Sequence, residues 1–146
     1  MPFARIQIKG LKETNQILKQ LGKRAPEILG SALFQIGEEI IGKSKEDFVP
    51  VDLGHLRSSG FVEEPKTSSR NGVTVELGFG GPAGKGNVGG AKNKISVGYA
   101  LIVHEDLSAR HKVGGSKYLE KPFNRAQRNM DRRIAFLLME AEPRFR

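Results

Sequence analysis

The chain has 146 residues, and 24 Lys and Arg stand against 16 Asp and Glu, which gives a formal net charge of +8. It contains no cysteine, which excludes disulfide scaffolds, thiolate metal sites and cysteine nucleophiles. A chain of this length is expected to form one domain over residues 1–146. No apolar run approaches the roughly 18 residues that span a bilayer, and no signal-peptide core follows Met1, so we expect no membrane partner.

The first fifty residues predict a short strand and two helices. Residues 3–9 alternate apolar and polar side chains, as a strand does. Leucines at helical spacing then predict a helix of about three turns that ends near Gly22. Pro26 suits the first turn of a second helix of roughly twenty residues, and Pro50 marks its latest end. The apolar face of this second helix repeats at spacings of 4, 3 and 4, in Leu29, Leu33, Ile36 and Ile40.

The middle of the chain predicts an antiparallel sheet. Residues 51–60 form a turn-rich connection, and residues 61–64 and 73–79 alternate as strands do. Asn71 and Gly72 between them are a strong hairpin signal. Six of the fifteen residues in 80–94 are glycine, which predicts a long flexible loop or arm. Residues 95–103 predict a further strand.

The C-terminal segment predicts a long amphipathic helix that ends at Pro143. Its apolar residues recur at spacings of 4, 3, 4, 4, 3 and 4, in Leu119, Phe123, Ala126, Met130, Ile134, Leu137 and Ala141. Because strands and helices do not alternate strictly, the predicted fold is α+β. It has two N-terminal helices, a small and mainly antiparallel sheet with the long Gly-rich loop, and the long C-terminal amphipathic helix.

Several motifs resemble enzyme sites but lack the context that their chemistry needs. Residues 37–44 fit the phosphate-loop pattern G-x-x-x-x-G-K-[ST], yet they lie inside a predicted helix with no strand before them. His104, Glu105, Asp106 and His111 contain metal-ligating groups, but nothing places them on one face. We therefore predict no catalytic residue, no cofactor and no metal. A nucleotide hydrolase that uses residues 37–44 is therefore ranked below the two functional hypotheses given next, a structural protein and a nucleic-acid-binding protein.

Three blocks of the sequence resemble a known family when they are taken together and in order. They are residues 50–59 (PVDLGHLRSS), residues 99–105 (YALIVHE) and residues 117–123 (KYLEKPF), the last followed by Ala126 and the long helix. This order resembles the neck or tail-completion proteins of tailed bacteriophages, a family first typed in a lambdoid phage. In that family the blocks are P-V-D-T-G-x-L-R-x-S, Y-A-x-x-V-E-x-G and P-F-L-x-P-A.

The resemblance implies a structural protein of the virion and not an enzyme. Such proteins form homo-oligomeric rings, for which six copies are the family-based expectation. They join the portal-bearing head to the tail, so the implied partners are other neck proteins, the portal or its adaptor, and the tail terminator and tube. The implied location is the virion neck, after assembly in the bacterial cytoplasm.

Candidate interaction residues fall in three segments. Asp52, Gly54 and Arg57 belong to the turn block, where turn chemistry that maintains the fold is the simpler interpretation. Gly84, Lys85 and Lys92 lie in the Gly-rich arm, which is long enough to reach an adjacent subunit.

The third segment is the polar face of the C-terminal helix, with Arg125, Arg128 and Arg132 beside Lys121. A solvated face is the simpler interpretation of these charges. The functional one is contact with an acidic protein or with nucleic-acid phosphate. A basic protein that binds nucleic acid non-specifically, including DNA in the lumen of a neck, is therefore the alternative function.

Overall fold

The structure is a computed structural model that describes residues 3–6, 12–50, 55–68, 72–80, 104–108 and 114–142. Among these residues the chain forms helices α1 to α5 and strands β1 to β4. In chain order they are β1 (Phe3–Ile6), α1 (Lys12–Leu21), α2 (Ala25–Lys43), α3 (His55–Ser58), β2 (Phe61–Val62), β3 (Lys66–Ser68), β4 (Gly72–Gly78), α4 (Glu120–Gln127) and α5 (Met130–Ala141). The described part is thus mixed α and β, as predicted.

The N-terminal elements follow the local signals of the sequence. Gly22 ends α1 with a φ of +61°, a conformation that glycine adopts at little cost. Pro26 lies in the first turn of α2, where a missing N–H breaks no helical hydrogen bond. After Lys43 the helix widens into one π-helical turn, Ser44–Phe48, and the chain becomes extended at Val49.

The sheet is antiparallel and has β4 at its centre. β1 pairs with one edge of β4, from Phe3 opposite Gly78 to Ile6 opposite Val75. β2 and β3 pair one after the other with the remaining edge, and the register moves by one residue between them. The shift places Glu64 and Pro65 together in a bulge between β2 and β3. Proline is tolerated there because it has no N–H to donate to the ladder. The predicted hairpin is confirmed, although β3 lies in residues that were assigned to the turn.

The core lies between α2 and β4. Val73, Val75 and Leu77 alternate along β4 and are buried, and the apolar face of α2 covers them. Two glycines of α2 allow this close approach. A Cβ at Gly30 would lie 2.9 Å from the Pro65 Cβ, and a Cβ at Gly37 would lie 3.0 Å from the Val62 Cγ1. Helix α2 therefore packs with its backbone close to the sheet.

The prediction of a single long C-terminal helix is wrong. The chain forms α4 and α5, with a break at Arg128 and Asn129, where Asn129 has φ −122° and ψ 14°. Asparagine is a weak helix former whose side chain competes for backbone hydrogen bonds, so a break costs little here. In α5 the buried residues are Ile134 and Leu138, whereas the predicted stripe used Leu137. Ile134 is buried as predicted, Leu138 is buried in addition, and Leu137 packs against the core only partly buried.

Other expectations are modified or lie outside the described residues. The turn-rich connection contains the helical turn α3, followed by a turn at Ser59. Apart from Gly80, the Gly-rich loop 80–94 lies outside the described residues, as does the predicted strand 95–103.

Candidate interaction surfaces

A buried cluster around Tyr118 joins three distant segments of the chain. The Tyr118 ring meets Phe79 and His104 edge to face, and each pair of ring centroids is 5.0 Å apart. The Ser44 hydroxyl donates a hydrogen bond of 2.7 Å to the carbonyl oxygen of Tyr118. All four side chains are fully buried. This cluster fixes the start of α4 against the end of α2 and the end of β4.

His104 is held in its neutral form. Its Nε2 accepts a hydrogen bond from the backbone N–H of Glu120, 3.4 Å away, at the start of α4. Its Nδ1 therefore carries the proton and donates it to the Glu105 carboxylate over 2.7 Å. Burial lowers the pKa of His104 and outweighs the opposing effect of the Glu105 hydrogen bond. Protonation would remove the acceptor that Glu120 uses.

An exposed ion-pair network covers the outer side of His104. Lys117 reaches both Glu105 and Glu120. Its ammonium, together with the His104 hydrogen bond, lowers the pKa of Glu105 to about 2. Lys117 has a φ of +56°, which is unusual for a residue with a side chain, and its N–H bonds to the His104 carbonyl at 2.7 Å. The network holds residues 104–105 and 117–120 together.

The turn block is only partly described, because Asp52, Gly54 and residues 51–54 as a whole lie outside the described residues. Within α3, Leu56 is buried. The Ser59 hydroxyl donates to the Leu56 carbonyl at 2.6 Å and accepts from the Gly80 N–H at 3.0 Å. Arg57 is half-buried, and its Nε has no hydrogen-bond partner among the residues described. The turn thus ties α3 to the end of β4, as fold maintenance requires.

The basic residues of the C-terminal segment face solvent, as the helical pattern predicts. Lys121, Arg125, Arg128 and Arg132 are all exposed, and we call these four the basic row. The Arg125 guanidinium lies 5.1 Å from the centre of the Phe48 ring. Their role in an interaction stays a prediction, as do the roles of Gly84, Lys85 and Lys92, which lie outside the described residues.

Sequence reasoning missed a groove of about 470 Å³ beside the basic row. It runs between the C-terminal half of α2 and the junction of α4 with α5. Its apolar lining consists of Ile36, Ile40, Phe48, Pro122, Ala126 and Met130. Arg133 bridges it by an ion pair to Glu39, and Lys43 pairs with Asp47 at 3.8 Å on its rim. The periodicity of the sequence indicated an apolar face on each helix but gave no sign that a groove lies between these faces.

Three large apolar side chains are exposed in the described part of the chain: Leu107, Phe136 and Met139. Phe136 is 53% exposed, and the Arg133 guanidinium lies 5.6 Å from the centre of its ring. Arg133 also lines the groove, whereas Phe136 does not. Phe136 lies outside the predicted apolar stripe, and its exposure agrees with that pattern.

The phosphate-loop pattern lies within the helical segment, as predicted. Residues 37–43 belong to α2, Gly37 packs on Val62, and the Ser44 hydroxyl is occupied by Tyr118. A phosphate cradle needs a strand-to-helix loop with free N–H groups, which this segment does not provide.

The described residues lack two kinds of feature. They contain no group of three or more His, Asp or Glu side chains arranged to hold a metal ion. Among the same residues, no helix has the length and apolar character needed to cross a membrane.

Comparisons with known proteins return no relative: no family model, no curated protein and no solved structure matches the chain.

Proposed function

We propose that the protein is a structural subunit of the neck of a tailed bacteriophage, which joins the head and portal complex to the tail as part of a homo-oligomeric ring. The order of the three sequence blocks carries this proposal. Six copies per ring are the number that the resemblance implies, and no catalytic step belongs to this role.

The packing of the described residues supports treating the three blocks as one unit. Ser59 of the first block binds the Gly80 N–H, next to Phe79. Phe79 packs on Tyr118 of the third block, and Tyr118 packs on His104 of the second. Described residues from each of the three blocks thus share one neighbourhood of the fold, although they lie far apart in the sequence.

The exposed surfaces are also those of an assembly component. A ring subunit must contact neighbouring subunits and the proteins above and below its ring. An apolar groove, an exposed Phe136 and the basic row give this chain the surface features that mark protein–protein contacts.

Electron microscopy of particles made without the gene tests this proposal. Negative staining of lysates from the phage that carries the gene, with and without the gene deleted, shows which assembly step fails. We expect filled heads beside separate, finished tails. Empty heads point to a stopper that retains DNA, and tails of uncontrolled length point to a tail terminator. Normal infectious virions would refute the structural role.

Non-specific binding of nucleic acid is the second candidate, and the exposure of the basic row favours it. Four uncompensated cations contacting phosphates would give a strongly salt-dependent affinity. Titration of duplex DNA at several salt concentrations measures the slope of log K against log salt. Replacing Arg125 and Arg128 with Glu should then reduce that slope by about 2. An unchanged slope would remove the basic row from any contact with DNA.

A further inference from the structure

The groove between α2 and the α4–α5 junction combines an apolar floor with one strongly basic side. The floor is formed by side chains such as Ile40, Phe48, Ala126 and Met130. The other charged groups that line the groove largely neutralise one another, since Glu39 of α2 pairs with Arg133 of α5 and Asp47 pairs with Lys43. A partner that covers the floor therefore contacts unpaired positive charge on the α4 side alone.

The positive charge on that side is not neutralised within the described part of the chain. Residues 121–133 contain five Lys and Arg and one acidic residue, Asp131, which gives 5 − 1 = +4. Arg133 is used by Glu39, but no carboxylate of the described residues lies within ion-pair distance of any member of the basic row. Arg125 itself lines the groove, with Lys121 and Arg128 one turn away on either side.

The charge argues against a second copy as the occupant. Docking two identical faces would bring both basic rows together on a chain that already has a net charge of +8. Like charges opposed across an interface cost binding free energy.

Nucleic acid also fits poorly. Phosphates would pair with the basic row but leave the apolar floor in contact with water. Among the described residues that line the groove, Phe48 alone is aromatic, so the groove offers no row of rings on which successive bases could stack.

We infer that the groove binds an amphipathic helix of a partner protein, which inserts apolar side chains between α2 and α4 and places carboxylates against Lys121, Arg125 and Arg128. A helix laid in a groove between two helices is a common recognition mode, and the charges set its orientation. The inference rests on the proposed function, because it states the chemistry of one assembly partner.

The test is a titration of the full chain with synthetic helical peptides, followed by backbone amide NMR. One peptide of about 18 residues carries Leu on one face, Glu along its flank and Ala elsewhere, a length that supports a helix in water. A second peptide has Lys in place of every Glu, and a third keeps Glu but replaces Leu with Ser. We expect the first to bind at least about tenfold more tightly than the other two, since only it matches both features. Its shifts should centre on Ile40, Ala126 and Met130.

Charge reversal provides the decisive control. The double variant Arg125→Glu/Arg128→Glu changes exposed side chains and should prefer the Lys peptide. Reversal of two exposed cations away from the groove, Lys19→Glu in α1 and Lys23→Glu just after it, changes the net charge equally and should keep the preference for the Glu peptide. Circular dichroism verifies that both variants are folded.

Several results would overturn the inference. They are equal affinity for the Glu and Lys peptides, shifts that lie away from the groove, no binding of the Glu peptide at about 1 mM, or tighter binding of duplex DNA that protects the same amides. Concentration-dependent self-association through these residues would also overturn it, in favour of a second copy. Because the titration uses the isolated chain, its failure is distinct from the gene-deletion result that tests the neck role.

Discussion

The Ser44 hydroxyl donates a hydrogen bond of 2.7 Å to the carbonyl oxygen of Tyr118, a residue 74 positions further along the chain. Both side chains are fully buried. Tyr118 precedes α4 by two residues, so this bond fastens the C-terminal helices to the end of α2. The serine that would bind a metal ion in a phosphate loop has a structural role here.

Replacing Ser44 with Ala should lower the free energy of unfolding by about 1–3 kcal/mol, because the Tyr118 carbonyl loses a buried donor. Replacing its neighbour Lys43 with Ala should change it by less than about 0.5 kcal/mol, since the Lys43 ammonium is exposed and its ion pairs lie on the surface. Urea denaturation of both variants measures the difference. In an enzyme that hydrolyses nucleotides, Lys43 would instead be essential for turnover. Loss of turnover in Lys43→Ala would therefore contradict the structural interpretation.

Stability should fall in weak acid because of His104. Its pKa is lowered from 6.5 in the folded protein, so between 6.5 and that lower value the unfolded chain binds a proton that the folded chain does not. The free energy of unfolding therefore falls as pH decreases through this range and is largest above it. His104→Gln removes the titrating group and should give a flatter profile. Denaturation of both proteins at several pH values measures this, and His55 and His111 are common to both. Parallel profiles would show that His104 is not responsible.

Two glycines of α2 should respond to alanine in opposite directions. A Cβ at Gly30 would lie 2.9 Å from the Pro65 Cβ, in a ring that has little freedom to move, so Gly30→Ala should destabilise by about 1–3 kcal/mol. A Cβ at Gly42 would meet nothing within 4 Å, so Gly42→Ala should stabilise by about 0.5–1 kcal/mol through helix propensity. Thermal or urea denaturation compares the two. Stabilisation by both substitutions would mean that α2 does not approach the sheet so closely.

Local signals predicted most of the elements. Proline at the first turn of α2, glycine at the end of α1 and Gly72 at the start of β4 each act through the conformation of a few neighbouring residues. The amphipathic pattern also placed the basic row on the exposed side.

Features that depend on distant packing could not be predicted in this way. No pattern links Ser44 to Tyr118 or His104 to Glu120, because such pairs form only once remote segments meet. The groove lies where α2 faces the α4–α5 junction, and the relative placement of helices is not encoded in the periodicity of either one. Likewise the apolar spacings through Met130 fit an unbroken helix, so they gave no indication of the break at Asn129.

The break at Asn129 makes a specific prediction about α5. Leu138 packs in the core and is fully buried, whereas Leu137 is only half-buried. Leu138→Ala should therefore lower the free energy of unfolding by about 2–5 kcal/mol, and Leu137→Ala by clearly less. A matched pair with charge sharpens the test: Ile134→Asp should abolish folding, because Ile134 is fully buried, while Phe136→Asp should be tolerated at an exposed position. Circular dichroism with urea denaturation measures all four. A larger loss of unfolding free energy for Leu137→Ala than for Leu138→Ala would contradict the break and favour a single straight helix.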